Sequence, residues 1–396
     1  MISKPYTLDE LCIFIRNGKS VKQSKDVDGL PITRIETIAN QTIDFNRVGY
    51  ASLSEEGGKS HLLEYGDILF SHINSLEHLC KTAIYTGFPE KLVHGMNLLC
   101  FRPNPQLIFP QYLLHLLRSS RIRTSLLQFA NKSVNQASIS AGNLKSFKVK
   151  IPPLEEQRRI ASILDQADEL RRKRQQAIEK LDQLLQATFI DMFGDPVSNP
   201  KGWDLIKLSE VCSKITVGIV VKPASYYVES GVPAIRSLNI GINKIIKEKF
   251  VYFTEDDNNS ILKKTKLLAG DVVTVRSGQP GKSAVIEQDM EGCNAIDVLI
   301  TRTDNSKLLP EFLSFFLNSD AGKQLVMKEQ RGQVQKHLNV SQLADAIIPL
   351  PPIDLQKNFF VNLGEIYGII DKAFNAKNLT DNLFSSLQNQ AFNGTL

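Results

Sequence analysis

The string Arg276-Ser277-Gly278-Gln279-Pro280-Gly281-Lys282-Ser283 ends in the Gly-Lys-Ser of a phosphate-binding loop. Such a loop also needs a glycine five positions before Gly281, and that place holds Arg276. It needs a helix behind it to aim N–H groups at phosphate, whereas Ala284-Val285-Ile286 reads as a strand. A hairpin-like loop is the expectation. The histidines His61, His72, His78, His94, His115 and His337 form no His-Glu-x-x-His pair, and the six-residue step from His72 to His78 matches no common ligand spacing. Cys12, Cys80, Cys100, Cys212 and Cys293 form no Cys-x-x-Cys, and their odd count argues for free buried thiols. No Ser/His/Asp arrangement has local support. Asp195-Pro196-Val197 and two Pro-Pro segments lack the Asn- or Asp-Pro-Pro-aromatic motif of an amino-methyltransferase, and no Gly-x-Gly cofactor loop follows a strand. No catalytic residue, metal or cofactor is expected.

The elements that position the remaining polar residues occur twice. Leu8-Asp-Glu-Leu11-Cys12 matches Leu208-Ser-Glu-Val211-Cys212, and Gly29-Leu-Pro31-Ile-Thr-Arg34 matches Gly231-Val-Pro233-Ala-Ile-Arg236. Tyr65-Gly66-Asp67-Ile68-Leu69 matches Ala269-Gly270-Asp271-Val272-Val273, and Phe109-Pro110-Gln-Tyr112-Leu113 matches Leu309-Pro310-Glu-Phe312-Leu313. Ile151-Pro152-Pro153-Leu154-Glu-Glu-Gln157 matches Leu350-Pro351-Pro352-Ile353-Asp-Leu-Gln356. The order is kept, with offsets of 199 to 204, so the chain is a duplication.

Each copy opens with about 150 residues of mixed structure. Asp271–Val275 predicts a strand and Gln111–Arg118 a short helix. A long helix then follows Pro-Pro, whose rings suit a helix start. The first helix is predicted from Glu155 to Phe193, with Ile160, Leu164, Ala167, Ile178, Leu181, Leu185 and Met192 on an alternating 3/4 spacing. Arg171 and Arg174 interrupt that stripe. The run Arg171-Arg172-Lys173-Arg174 predicts either a solvated face, balanced by Asp165, Asp168 and Glu169, or a contact with DNA or an acidic partner. The second helix is predicted from Leu355 to Ala391, with Phe359, Leu363, Ile366, Ile370, Ala373, Leu383 and Leu387 inward and Gly364 and Gly368 weakening its first half. Such stripes must bury. The expected fold class is α+β: two mixed α/β domains related by duplication, separated by two long helices forming an antiparallel coiled coil. The segments are 1–152, 153–194, 195–352 and 353–396. Each helix would span roughly 50–60 Å and act as a spacer.

Net charge is +5, carried mainly by residues 1–152, which hold 18 Lys+Arg against 12 Asp+Glu. No run of about 18 apolar residues suggests a membrane span, and the start of the chain lacks a signal-peptide pattern. A cytoplasmic location without membrane contact is expected.

The string Ile151-Pro-Pro-Leu-Glu-Glu-Gln157-Arg-Arg-Ile-Ala161, leading to Phe193-Gly-Asp195-Pro, and its weaker copy Leu350-Pro-Pro-Ile-Asp-Leu-Gln356, resemble the specificity (S) subunit of type I restriction–modification systems. The resemblance covers the whole chain. It implies two target-recognition domains, double-stranded DNA read as an asymmetric bipartite site, two methyltransferase (M) subunits as partners, and restriction/translocase (R) subunits in the full enzyme. The chain would itself be non-catalytic. Asp354-Leu355 replaces Glu155-Glu156 in the second copy, so the two ends of the rod are expected to differ in stability or partner affinity. A coiled-coil scaffold without DNA readout is the competing class, and a self-contained methyltransferase a third.

Base edges favour Arg, Lys, Asn and Gln, while phosphate needs only charge or a donor. Two loop groups hold such residues at matching places. Ser71, His72, Asn74 and Lys81 match Arg276, Ser277, Gln279 and Lys282. Lys132, Asn135, Gln136 and Ser138 match Arg331, Gln333, Gln335, Lys336 and His337. Arg34 and Arg236 form a third pair. Residues that differ between copies, such as Gln279, His337 and Asn74, are the expected base readers. The shared arginines are expected to serve structure or phosphate.

Overall fold

The computed structural model describes residues 4–24, 29–133, 136–327 and 337–396. Contacts divide the chain into two compact units, one of residues 1–176 with 374–396, the other of residues 177–373.

In the first unit, four antiparallel strands run in the order Cys12–Asn17, Leu99–Pro103, Ile68–Phe70 and Thr82–Ile84. Side chains alternate across a strand. Ile68, Phe70, Leu99 and Phe101 therefore enter one core, and Leu69, Ala83 and Cys100 another. Burial on both faces is why Ile68-Leu69-Phe70 shows no polar alternation. Helix Pro110–Arg118 lays Tyr112, Leu113, Leu116 and Leu117 on the first core. Strand Lys4–Thr7 pairs with Lys148–Ile151, just ahead of the central helix.

The second unit repeats this order with Cys212–Val217, Val298–Thr303, Val272–Val275 and Ser283–Val285. Asp204–Lys207 pairs with Ile347–Leu350. Even the irregularity is copied, since the register slips after Cys12 and after Cys212. Helix Pro310–Asn318 brings Phe312 and Phe315 onto Phe189, Phe193 and Phe359, with ring centroids 4.9 to 5.7 Å apart.

A buried aspartate braces each sheet. Asp67 accepts two hydrogen bonds from Arg102 at 2.9 and 2.8 Å, and Asp271 accepts two from Arg302 at 2.7 and 2.8 Å. The preceding Gly66 and Gly270 have φ of +93° and +85°, a conformation that favours glycine. The recurring Gly-Asp is thus a turn followed by a brace.

The long helices span Leu154–Phe193 and Ile353–Asn393. The glutamine of each Pro-Pro-x-x-x-Gln is buried. Gln157 Oε1 accepts from Phe109 N at 2.8 Å, while its Nε2 donates to Leu107 O at 3.0 Å and Pro152 O at 2.9 Å. Gln356 does the same with Leu309 N, Lys307 O and Pro351 O at 2.9, 3.0 and 2.8 Å. One amide therefore ties the start of each long helix to the loop ahead of the short helix.

In the first unit, Ile160, Ala161 and Leu164 of the central helix bury with Phe384, Leu387 and Ala391 of the C-terminal one. In the second, Phe189 and Phe193 meet Phe359. Early residues meet late ones in both, so the pairing is antiparallel. Leu383, expected inward, is 52% exposed. The 3/4 step from Ala373 instead runs through Lys377 and Thr380 to Phe384, Leu387 and Ala391, and the two polar residues hid it. Arg171 donates to Asp381 at 2.8 Å and lies over the Phe384 ring, and Arg174 donates to the Ala376 carbonyl. These two arginines interrupt the stripe because they bridge the helices; they are not part of a wholly solvated face. No helix among the described residues is long and apolar enough to cross a membrane.

Candidate nucleic-acid interface

The two predicted loop groups meet in each unit. In the first, Ile73–Asn74 pairs with Ala137–Ser138, which also pairs with Asn131–Lys132. Ile139 N donates to His72 O at 2.9 Å. In the second, Ser277 bridges His337, and Leu338 N donates to Arg276 O at 2.8 Å. The backbone crossing is the same. His72 stands where Arg276 stands, Ile73 where Ser277 stands, and Ser138 where His337 stands.

The side chains on that crossing differ. Arg276 donates to Asp297 Oδ1 at 2.6 Å and lies 2.7 Å from His337 Nε2, while Ser277 Oγ lies 2.7 Å from His337 Nδ1. Arginine only donates, so Nε2 accepts and Nδ1–H points to the serine. The exposed ring is held from both sides. In the first unit Ser71 and His72 are buried instead, and burial pushes His72 down to about 4. His72 Nδ1 has no partner among the described residues. Asn74 donates to Ser71 Oγ at 3.3 Å, and Lys81 donates to Ala39 O at 2.7 Å. Lys132 and Gln136 are exposed and Ser138 is half-buried.

The Gly-Lys-Ser string is a hairpin loop between Val272–Val275 and Ser283–Val285. Gly278 and Gly281 take φ of +85° and +87° there, Gln279 is exposed, and Lys282 is half-buried. The matched arginines are tied locally: Arg34 to Gln23 at 3.1 Å and Glu36 at 3.2 Å, Arg236 to Lys249 O at 2.7 Å. Asn135, Arg331, Gln333, Gln335 and Lys336 lie outside the described residues. All five cysteines are free; Cys212 is half-buried and the others buried.

One matching loop escaped the sequence reading, Gly18–Lys22 and Gly218–Lys222. A Cβ on Gly18 would meet His94 O at 2.3 Å, and one on Gly218 would meet Ala295 O at 2.4 Å. The signal was available, since glycine and lysine recur there 200 positions apart.

Two copies of one sheet-and-helix frame, each with crossing loops of different polarity, define a duplicated recognition protein. The type I restriction modification DNA specificity domain matches residues 3–180 and again 200–376. The type I restriction enzyme MjaX specificity subunit of Methanocaldococcus jannaschii is 35% identical, over 92% of this chain and 86% of its own. The EcoKI specificity subunit of Escherichia coli strain K12 is 25% identical, over 48% of this chain and 42% of its own. The type I S subunit from M. genitalium shares the fold, with a TM-score of 0.56 and 13% identity over 99% of this chain and 96% of that one. The chain belongs to the type I restriction–modification DNA specificity family. Its function is that of the specificity subunit, with two DNA-recognition domains.

Proposed function

We propose that each copy reads one half of an asymmetric, gapped site on double-stranded DNA, and that the chain recruits two methyltransferase subunits and, through the full complex, restriction/translocase subunits. The recognition domains are residues 1–152 and 195–352, and residues 153–194 and 353–396 form the paired helices. The chain contributes no catalytic group or cofactor, and it works in the cytoplasm, where the DNA is. The observation that carries this reading is the shared crossing with unlike side chains: His72, Ile73 and Ser138 against Arg276, Ser277 and His337. A duplicated frame with divergent tips suits two different half-sites, so a palindrome is not expected.

Arg276 is spent on Asp297 and His337, so it acts by holding His337. Arg276→Ala therefore weakens readout of the second half-site alone; equal loss on every sequence would make it a phosphate contact. The decisive experiment maps methylated adenines in a host carrying this chain with its methyltransferase subunit. One asymmetric gapped motif that disappears on deletion of this chain is the expected result. Unchanged methylation with an active partner refutes the role and favours a scaffold without DNA readout.

A further inference from the structure

We propose that Val220 and Val221 read thymine through its C5-methyl group in the half-site of the second unit. The inference rests on the DNA-reading function proposed above and extends it to a third loop, Gly218–Lys222.

The loop is built as a rigid seat. Gly218 N donates to Val298 O at 2.9 Å and Ile219 N to Ala295 O at 2.8 Å, while Asp297 N returns a bond to Ile219 O at 3.1 Å. Glycine is required at the root because a side chain would strike the Ala295 carbonyl. At the far side Lys222 takes φ +44°, and its carbonyl accepts from Ser225 N at 3.0 Å and Ser225 Oγ at 2.8 Å. The tip between these anchors is Val220, 50% exposed, and Val221, 73% exposed.

Two valines held in water on a pinned loop add little to folding, since apolar side chains stabilise by leaving water. Their place supplies the partner. Asp297, which holds the loop by its N–H, also takes Arg276, and Arg276 takes His337. The valines thus stand one residue from a hydrogen-bonded network that ends on the crossing loops. The major groove offers one apolar feature to such a tip, the thymine methyl.

The first unit has the same seat and a different tip. Lys19 N donates to His94 O at 2.8 Å and Met96 N to Lys19 O at 3.2 Å. There Val21 turns inward against Ile32, Ala51 and Val93, and the exposed residues of the tip are the polar Ser20 and Lys22. The exposed valine pair therefore has no counterpart at the tip of the first unit's loop.

The test uses the complex of this chain with its methyltransferase subunit, on the motif found by methylation mapping. Each thymine of the two half-sites is replaced singly by deoxyuridine, which removes only the methyl. At one or two positions of the second half-site the wild-type complex should lose about fourfold in affinity, the transfer value of one buried methyl group. Val220→Ser and Val221→Ser should show the loss already on thymine and no further loss on deoxyuridine. Equal deoxyuridine sensitivity in wild type and variants, or none in the wild type, overturns the proposal. So does a variant that reads DNA normally but has lost its methyltransferase subunit, which would assign the valines to a protein contact. Absence of any sequence-selective binding by the wild-type complex instead overturns the underlying function, and the inference with it.

Discussion

Replacing Gln356 by alanine should unfasten the C-terminal helix from the second unit. Its amide is fully buried and serves three backbone groups: Leu309 N–H, Lys307 O and Pro351 O. A stranded buried N–H costs about 1–3 kcal/mol. Each carbonyl keeps a second lone pair and costs less, while the vacated side-chain volume adds a cavity penalty. Together these come to about 3–5 kcal/mol. Gln356→Met refills the volume without the bonds and should recover only the cavity share, leaving about 2–3 kcal/mol. A chain of two units need not unfold in one step, so the suitable assay is hydrogen exchange of residues 305–318 in the full chain. A local loss of about 3–5 kcal/mol corresponds to exchange faster by roughly two to four orders of magnitude. Full protection in Gln356→Met would refute the reasoning, because the amide would then be a space-filler.

Three further outcomes follow from the same geometry. Burial drives His72 and His94 down to about 4, so the unfolded chain protonates first. Their contribution is complete above about pH 6.5 and is lost as the pH falls toward 4. His337 is the second unit's sole histidine, so at pH 5 a urea transition in far-UV circular dichroism should run ahead of Trp203 fluorescence, which reports the second unit. Gly368→Ala should raise the urea stability seen by Trp203 by about 0.5–1 kcal/mol, since the new methyl meets nothing within 4 Å inside a helix. Asp271→Ala should destabilise its unit by about 2–4 kcal/mol, and by more than Asp67→Ala does, because Arg102 keeps Glu64 and the Leu62 carbonyl whereas Arg302 has Asp271 as its ion-pair partner. Paired urea titrations of the two variants compare them.

The fold was legible where the signal was periodic or duplicated. The central helix was placed within one residue of its observed start because Pro152-Pro153 and Gly194 bracket it. The matched order of the copies singled out the 71–74 and 131–138 loops, but their pairing showed only in the structure. Side-chain partners were not legible. Arg276 meets Asp297 across 21 positions and His337 across 61, and no spacing rule reaches that far. Ser71 and His72 looked like contact residues by type, yet the strand end that carries them is buried. The recurring glycine and lysine marked the Gly218–Lys222 loop, but not its seat, a parallel bridge to Ile296 far along the chain. The thermodynamic role of Gln157 and Gln356 was likewise invisible; only their recurrence showed.

The antiparallel pairing also sets an order of events at the ribosome. The first unit places Phe384, Leu387, Ala391 and Phe392 on the core built by residues 8–164, and these four are synthesised only after the whole of residues 177–373. At common translation rates that is a wait of about 10–40 s. The second unit, continuous in sequence, can close while the first still shows the apolar faces of Ile160 and Leu164. The unit begun first is finished last, and the nascent chain has an interval in which a chaperone or an early-arriving subunit can shield that face from aggregation.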